Sequence, residues 1–410
     1  MIHVCFGLSD SDGRYSKFTG TAILSIFENT NSKITAHILH DDTLTADNRE
    51  KFLIMAKSYG QVIKFHNVEE RCAEEINFIK QIFKNELTRD GFFIGKLYRL
   101  LTPKIFADDV EKIIYLDSDI IVNLDIAELW QIPLDDKPLA AVTEKSLGTP
   151  IECLLLVWDG IVDFENYFNS GVLVMNPKQI HPKEMPNIKA GIKFYGENQR
   201  YEYYDQDILN YCFSTNYLKL PNRFNFFVRS CRILHENKIE RRIYHYTAND
   251  LGTNLDDIFF EQWFSYFEKT PWFTKEVVGR LDKGFRKIIN RKDAALKDIA
   301  LQMTALVSGK TRAFFVNLPN MEIVKQTFYI KADEEIIQFV NQESFQILAD
   351  SMYNSRGKKI FFILFEGYPQ LRLMLIDAGF VEGEDFINAE IFLPKVNAET
   401  LDTFELVRKI

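Results

Sequence analysis

The sequence predicts an α/β protein: a larger domain on a mostly parallel sheet over residues 1–275, then a smaller α/β domain over 280–410. Three observations predict it. Apolar runs of strand length alternate with helical stretches through residues 1–68, the pattern that builds parallel sheets with crossover helices. The stretch IIYLDSDIIV (113–122) reads as a central strand interrupted by two acids. Around residues 271–296 the chain turns amphipathic and more basic before apparent strands resume, which marks the domain boundary.

The elements follow in order. IHVCFGL (2–8) is a first strand that ends in the turn-forming SDSDGR. TGTAILSIFENT (19–30) has helical spacing, KITAHILHDD (33–42) is a second strand, a polar helix covers 45–59, and QVIKFHNV (61–68) is a third strand. IGKLYRLLTPKIF (94–106) reads as one helix disturbed at Pro103. After the acidic strand, NLDIAELWQIP gives a loop and short helix, and KPLAAVTE and YFNSGVLVMNP (167–177) give strands, the latter closed by Pro177. YYDQDILNYCF (203–213) opens a helix with acids in its first turn, as the helix dipole favours. In the smaller domain RAFFVN (312–317) and KIFFILF (359–365) are strands, with helices between and after them.

A chain of 410 residues is too long for one ordinary core. Its 46% apolar and 26% charged residues are a soluble globular balance. A net charge of −9 argues against nucleic acid and anionic membrane as partners. The five cysteines (Cys5, Cys72, Cys153, Cys212, Cys231) are scattered without a CxxC pair, which points to reduced thiols rather than a disulfide framework or zinc ribbon. MIHVCFGLSDSDGRY lacks the regions of a signal peptide, and LLLVW (154–158) is far too short for a transmembrane segment. A cytoplasmic protein is expected.

Asp117 and Asp119 lie two apart, so on a regular strand they share one face. At the carboxyl end of such a strand, where α/β sheets bind ligands, two oxygens can hold a hard divalent cation and leave positions open for phosphate and water. A plainer reading is a pair of carboxylates capping N–H groups at a strand exit. The apolar run favours the metal, because unpaired carboxylates are expensive to desolvate. Haloacid-dehalogenase-type phosphatases also carry D-x-D after an apolar strand. Theirs sits near the start of the domain and is followed closely by Thr or Val, whereas here residues 1–112 come first and IIVNLDIAELW follows.

The wider set of residues resembles the retaining glycosyltransferases of family 8 over residues 1–273. LYRL (97–100), IIYLDSDIIV, LDIAELW, YFNSGVLVMN, DQDILN (205–210) and IYHYTA (243–248) occur in the family's order. The resemblance implies a GT-A fold, a UDP-hexose donor carrying galactose or glucose, and transfer with retention to a glycan or glycoprotein acceptor, the glycans of serine-rich bacterial adhesins among them. It implies Asp117, Asp119 and His245 as metal ligands, a mixed oxygen and imidazole set that favours Mn²⁺ over Mg²⁺. Taken alone, His245 reads as a buried histidine bonded to backbone.

Further roles follow from the same resemblance. Arg99 lies near the donor sugar and its acidic neighbours; by itself it would be a surface helix ion pair. Asn169 reads sugar hydroxyls, which needs a group that donates and accepts; alone it suggests a turn or bulge. Asp205, otherwise an N-cap or first-turn acid, binds sugar hydroxyls. Gln206 sits beneath the anomeric carbon; because an amide is a poor nucleophile beside a carboxylate, it suits a polar stabiliser of front-face transfer better than a covalent intermediate. Backbone near Leu8 and Ser9, a carboxylate from Asp10 or Asp12, Tyr15 and Ser118 complete the donor contacts, the loop GLSDSDGRY being longer than the family's and leaving Asp10 against Asp12 open.

One departure stands out. Where the family often has His-Tyr-x-Gly-x-x-Lys, this chain has Ala248 for the glycine and Leu251 for the diphosphate-binding lysine. The add-on domain is expected to recognise acceptor, or to support a homo-oligomer or a complex with other glycosyltransferases. The rival readings are a sugar-nucleotide-binding module without turnover and a D-x-D metal-dependent phosphatase.

Overall fold

Three apolar runs, Ile2–Leu8 (β1), Ile34–His40 (β2) and Val62–Asn67 (β3), pair side by side in parallel, with Val4 opposite Ala36 and Ala36 opposite Ile63. The computed structural model describes residues 1–84 apart from 12 and 14, then 93–198, 201, 203–247, 257–279 and 309–317. It also describes 321–389 apart from 322–323, 326–327, 329, 331–333, 341–342, 356–357, 359 and 366. Two compact units divide the chain, residues 1–278 and 279–406.

The larger unit adds Ile113–Leu116 (β4), Ile120–Val122 (β5), Leu139–Thr143 (β6), Phe168–Met175 (β7), Leu218–Lys219 (β8), Phe226–Phe227 (β9) and Ile243–His245 (β10). The seven-stranded sheet runs β3-β2-β1-β4-β7-β6-β8. It is mixed but mostly parallel: β7 runs antiparallel to both β4 and β6. Strand order reverses at β1, which lies between β2 and β4. Their carboxyl ends therefore open a crevice at a topological switch point, where α/β sheets take ligands. The loop after Leu8 and the acids after Leu116 leave the sheet there.

IIYLDSDIIV is not one strand, contrary to the sequence expectation. Only β4 belongs to the large sheet; β5 joins a second sheet of order β5-β10-β9. Asp117, Ser118 and Asp119 form the step between the sheets, with the Asp117 N–H on the Gly171 carbonyl at 2.9 Å. The physical reason is solvation: a continuous buried strand would bury both carboxylates, whereas the step leaves their side chains 22% and 33% exposed. The helix expected over 94–106 likewise resolves into Phe93–Leu97, a 3₁₀ turn Tyr98–Leu101, and Thr102–Phe106, whose first turn holds Pro103, a position where the missing N–H costs nothing.

The helix Tyr15–Asn29 is buried from Ser16 through Phe27, covered by sheet on one side and by the aromatic helix Ile258–Phe267 on another. Among the described residues, no helix is long and apolar enough to cross a membrane.

The described residues of the smaller unit include a four-stranded parallel sheet, Glu335–Phe339 (β12), Thr311–Asn317 (β11), Ile360–Leu364 (β13) and Phe386–Asn388 (β14), in the order β12-β11-β13-β14. Alternate residues feed two cores. Phe314, Val316, Phe361 and Ile363 face one side, and Ala313, Phe315, Phe362 and Leu364 meet Leu348, Leu371 and Leu375 on the other.

Candidate active site

Strand register, not sequence proximity, gathers the acids and the histidine. β10 pairs antiparallel with β5 so that His245 stands opposite Ile120, and the Tyr246 N–H bonds the Asp119 carbonyl at 2.8 Å. His245 Nε2 then lies 3.3 Å from Asp119 Oδ1 and 3.7 Å from Asp117 Oδ2. One ligand atom from each of the three falls within 4.8 Å of the others. An ion bonded at about 2.0–2.2 Å fits that spacing after a small rotation of the half-exposed carboxylates. Burial would lower the His245 pKa, but the Asp119, Asp117 and Glu144 charges outweigh it and raise it. The pocket is electronegative and suits a cation.

Gly171 on β7 makes room for the imidazole. A Cβ there would sit 2.3 Å from His245 Cε1, closer than any side chain tolerates, so the ring lies flush on backbone. The Phe227 ring also packs on the histidine, edge to face, at 5.6 Å between centroids.

Arg99, expected near the donor sugar, is 5% exposed and braces the acids. Its guanidinium reaches Asp117 Oδ1 at 2.5 Å and Asp205 Oδ2 at 2.9 Å, and donates to the Ser170 carbonyl at 2.6 Å and hydroxyl at 2.9 Å. It is no surface ion pair. The rigid fork serves three partners that a lysine could not. Burial and Asp117 raise the Asp205 pKa, and Arg99 opposes them.

Asp205 and Gln206 open the helix Tyr204–Phe213. Asp205 is not the N-cap; its Oδ2 also accepts the Ser170 hydroxyl at 2.9 Å. Tyr204 enters the helix with φ of 40°, a left-handed conformation costly for a tyrosine. Gln206 Oε1 accepts the Ser170 N–H and an Asn169 amide N–H, both at 3.0 Å, and Gln206 Nε2 donates to Glu144 Oε1 at 3.0 Å. Asn210, one turn on, pairs its amide with both the N–H and the carbonyl of Phe168 at 2.8 Å. It imitates a neighbouring strand and fastens the helix to β7.

In the first loop Asp10 is tied to the helix that follows. Its carboxylate accepts the Tyr15 N–H at 2.6 Å, the Ser16 N–H at 3.2 Å, the Ser16 hydroxyl and Asn48 Nδ2 at 3.2 Å. Both oxygens thus hold the start of the helix Tyr15–Asn29, and Asp10 shapes the loop. Asp12 lies outside the described residues, as do Ala248 and Leu251. Leu8 ends β1, and the Ser9 hydroxyl donates to Asp41 Oδ2 at 2.7 Å. The Tyr15 ring packs on Phe18 at 6.0 Å between centroids. The Ser118 and Thr19 hydroxyls pair at 2.8 Å, tying this helix to the acidic step.

Three contributors escaped the sequence reading. Glu144, 3% exposed after β6, accepts from Asn169 and Gln206 on one oxygen and from the Thr149 hydroxyl on the other. Asn225 links Asn169 to His245, and Ser170 links Arg99 to Asp205. For Glu144 a signal existed: AAVTE repeats the pattern of an acid at the end of an apolar strand.

The model of the family described as glycosyl transferase family 8 matches residues 8–249. A Haemophilus influenzae protein bearing a glycosyltransferase name is 25% identical over 292 residues, which span 65% of this chain and 83% of its own. The lipopolysaccharide 1,2-glucosyltransferase of Escherichia coli is 27% identical over 222 residues, 52% of this chain and 60% of its own. Among solved structures, the galactosyltransferase LgtC in complex with donor and acceptor sugar analogues superposes with a TM-score of 0.52 at 20% identity, over 68% of this chain and 99% of LgtC. That likeness gives the fold, GT-A.

Proposed function

This chain belongs to glycosyl transferase family 8, and from that membership we propose that it moves a hexose, galactose or glucose, from a UDP-sugar to a hydroxyl of a glycan or glycoprotein acceptor, with retention. The observation that carries this reading is the convergence of Asp117, Asp119 and His245 beside the Arg99–Asp205–Gln206 cluster. Asp119, His245 Nε2 and the Asp117 oxygen not held by Arg99 would bind Mn²⁺, with Mg²⁺ as the alternative. When bound, the ion offsets the charge that develops on the departing nucleoside diphosphate.

The chain's own groups do the rest. Arg99 bridges Asp117 and Asp205, so that one carboxylate serves the cation while Asp205 and Asn169 face sugar hydroxyls. Gln206 supports front-face transfer rather than a covalent intermediate: its carbonyl oxygen already accepts two N–H groups, which lowers its nucleophilicity, and its amide dipole is fixed for stabilising positive charge at the anomeric carbon. Leu8, Ser9, Tyr15 and Ser118 line the nucleotide end in this proposal. An Asp117 clamped by Arg99 at 2.5 Å is poorly suited to the nucleophilic role of the phosphatase reading.

The division into a catalytic domain of residues 1–275 and an add-on domain of residues 280–410 for acceptor recognition or oligomerisation belongs to the same proposal. The test is a panel of UDP-sugars with Mn²⁺, with chelator, and with the Asp117→Ala/Asp119→Ala variant. Metal-dependent release of UDP from one donor, lost in the variant, is expected. UDP binding without turnover on any donor would replace the reading with a nucleotide-binding module, and an inverted product anomer would refute retention.

A further inference from the structure

We infer that Asn225 is a positioning residue for the metal site: in the neutral ring it holds the proton of His245 on Nδ1 and so presents Nε2 to Asp117 and Asp119 as a bare lone pair. The inference deepens the proposed function, on whose metal site it rests.

The argument starts from a backbone donor whose identity is fixed. The Gly171 N–H lies 2.9 Å from one end of the Asn169 amide, and a donor can meet only the oxygen there. Asn169 Oδ1 is thereby assigned, and its Nδ2 falls on two acceptors, Glu144 Oε1 at 2.8 Å and Gln206 Oε1 at 3.0 Å. The same Asn169 oxygen is 2.6 Å from the Asn225 amide. Two oxygens at that distance would repel, so Asn225 turns its Nδ2 to Asn169. Its Oδ1 is then the atom 2.9 Å from His245 Nδ1. An amide oxygen accepts only, and Nδ1 must carry hydrogen. In the neutral ring the lone pair is left on Nε2, the nitrogen 3.3 Å from Asp119 and 3.7 Å from Asp117.

The consequence is directional. Three electron-rich atoms face one another in a pocket whose wall is fixed, with Gly171 and Phe227 against the imidazole, and the orientation comes from a peptide N–H through two amides. Asn225 is fully buried and sits just before β9, whose parallel register sets Phe227 beside His245, so the amide cannot swing out to solvent. Histidine ligands are ordinarily oriented by an acceptor at the other ring nitrogen, and losing that acceptor weakens metal affinity about 10- to 100-fold.

The test is Mn²⁺ titration calorimetry on the full chain together with long-range ¹H–¹⁵N spectra of the histidines at alkaline pH, His245 being assigned by difference with His245→Gln. The wild type is expected to bind Mn²⁺ and to hold His245 in the Nδ1–H form. Asn225→Leu, checked for folding by its melting curve, is expected to bind about 10- to 100-fold more weakly and to show a mixture of tautomers. Unchanged affinity or an unchanged Nδ1–H signature in a folded Asn225→Leu protein overturns the inference while leaving the metal site intact. A wild type that binds no Mn²⁺ overturns the metal site beneath it. If Asn225→Leu does not fold, the tautomer of Asn225→Asp decides: it keeps an oxygen against Nδ1–H, so His245 is expected to stay in the Nδ1–H form, a mixture of tautomers being contradictory.

Discussion

Arg99→Met removes a guanidinium shared by two carboxylates and leaves a side chain of similar reach. Arg99 is 5% exposed and makes its ion pairs at 2.5 Å and 2.9 Å, so solvent does little to replace it. Removing one partner of a buried ion pair costs about 3–5 kcal/mol. Asp117, whose side chain is 22% exposed, can recover hydration, but Asp205, at 7%, cannot. The stranded Asp205 dominates and sets an expectation of about 3–4 kcal/mol. At about 2–4 °C per kcal/mol for a unit of this size, that lowers the melting temperature by about 6–16 °C. The four tryptophans, Trp130, Trp158, Trp263 and Trp272, all fall within residues 1–278, so tryptophan emission follows the unit that holds the site. Arg99→Lys should fall between, keeping charge but losing the fork. Adding Asp205→Asn to Arg99→Met removes the stranded charge and should restore part of the loss. A melting temperature of Arg99→Met within about 2 °C of wild type would refute the bracing role, as would strict additivity of the two substitutions.

Gly171→Ala should cost about 1–3 kcal/mol as overpacking and weaken Mn²⁺ binding, because the new methyl group takes the place of His245 Cε1; calorimetry with unaltered affinity would contradict the close approach. His37 gives a pH prediction. Both its ring nitrogens are bonded, to His3 at 3.0 Å and His66 at 2.9 Å. Burial, helped by His66, His3, Lys64 and Arg71, pushes its pKa down to about 3. The unfolded chain takes up this proton near pH 6.5 and the folded chain does not, so stability falls as pH drops from about 6.5 toward 3. From pH 7 to 5 the loss from His37 is about 2 kcal/mol. Urea midpoints should show it for the wild type and a smaller acid loss for His37→Phe.

Much of this was legible because periodicity and local patterns carry it. β1, β2 and β3 and the helices between them follow from alternating apolar runs, the acidic step stood out by residue type, and LYRL and DQDILN by their resemblance to family motifs. The long helix Pro177–Glu197 did not, since Pro182 and Pro186 inside it argue against helix on local grounds and only packing on the sheet offsets them. The split of IIYLDSDIIV between two sheets was hidden for a related reason: β5 is chosen by pairing with β10, more than a hundred residues away in sequence. Asn225 is a lone amide whose meaning depends on which atoms it faces, and no spacing rule reports that. That Asp10 holds the start of a helix was not legible either, because a loop carboxylate shows this only once the N–H groups are placed.

Diffraction at the manganese edge from crystals grown with Mn²⁺ and UDP tests the central claim most directly. The account predicts one strong anomalous peak bonded to carboxylate oxygens of Asp117 and Asp119 and to Nε2 of His245, with the UDP phosphates completing the shell. A peak elsewhere, contact through His245 Nδ1, or UDP bound in the crevice with no metal among these three side chains would contradict it.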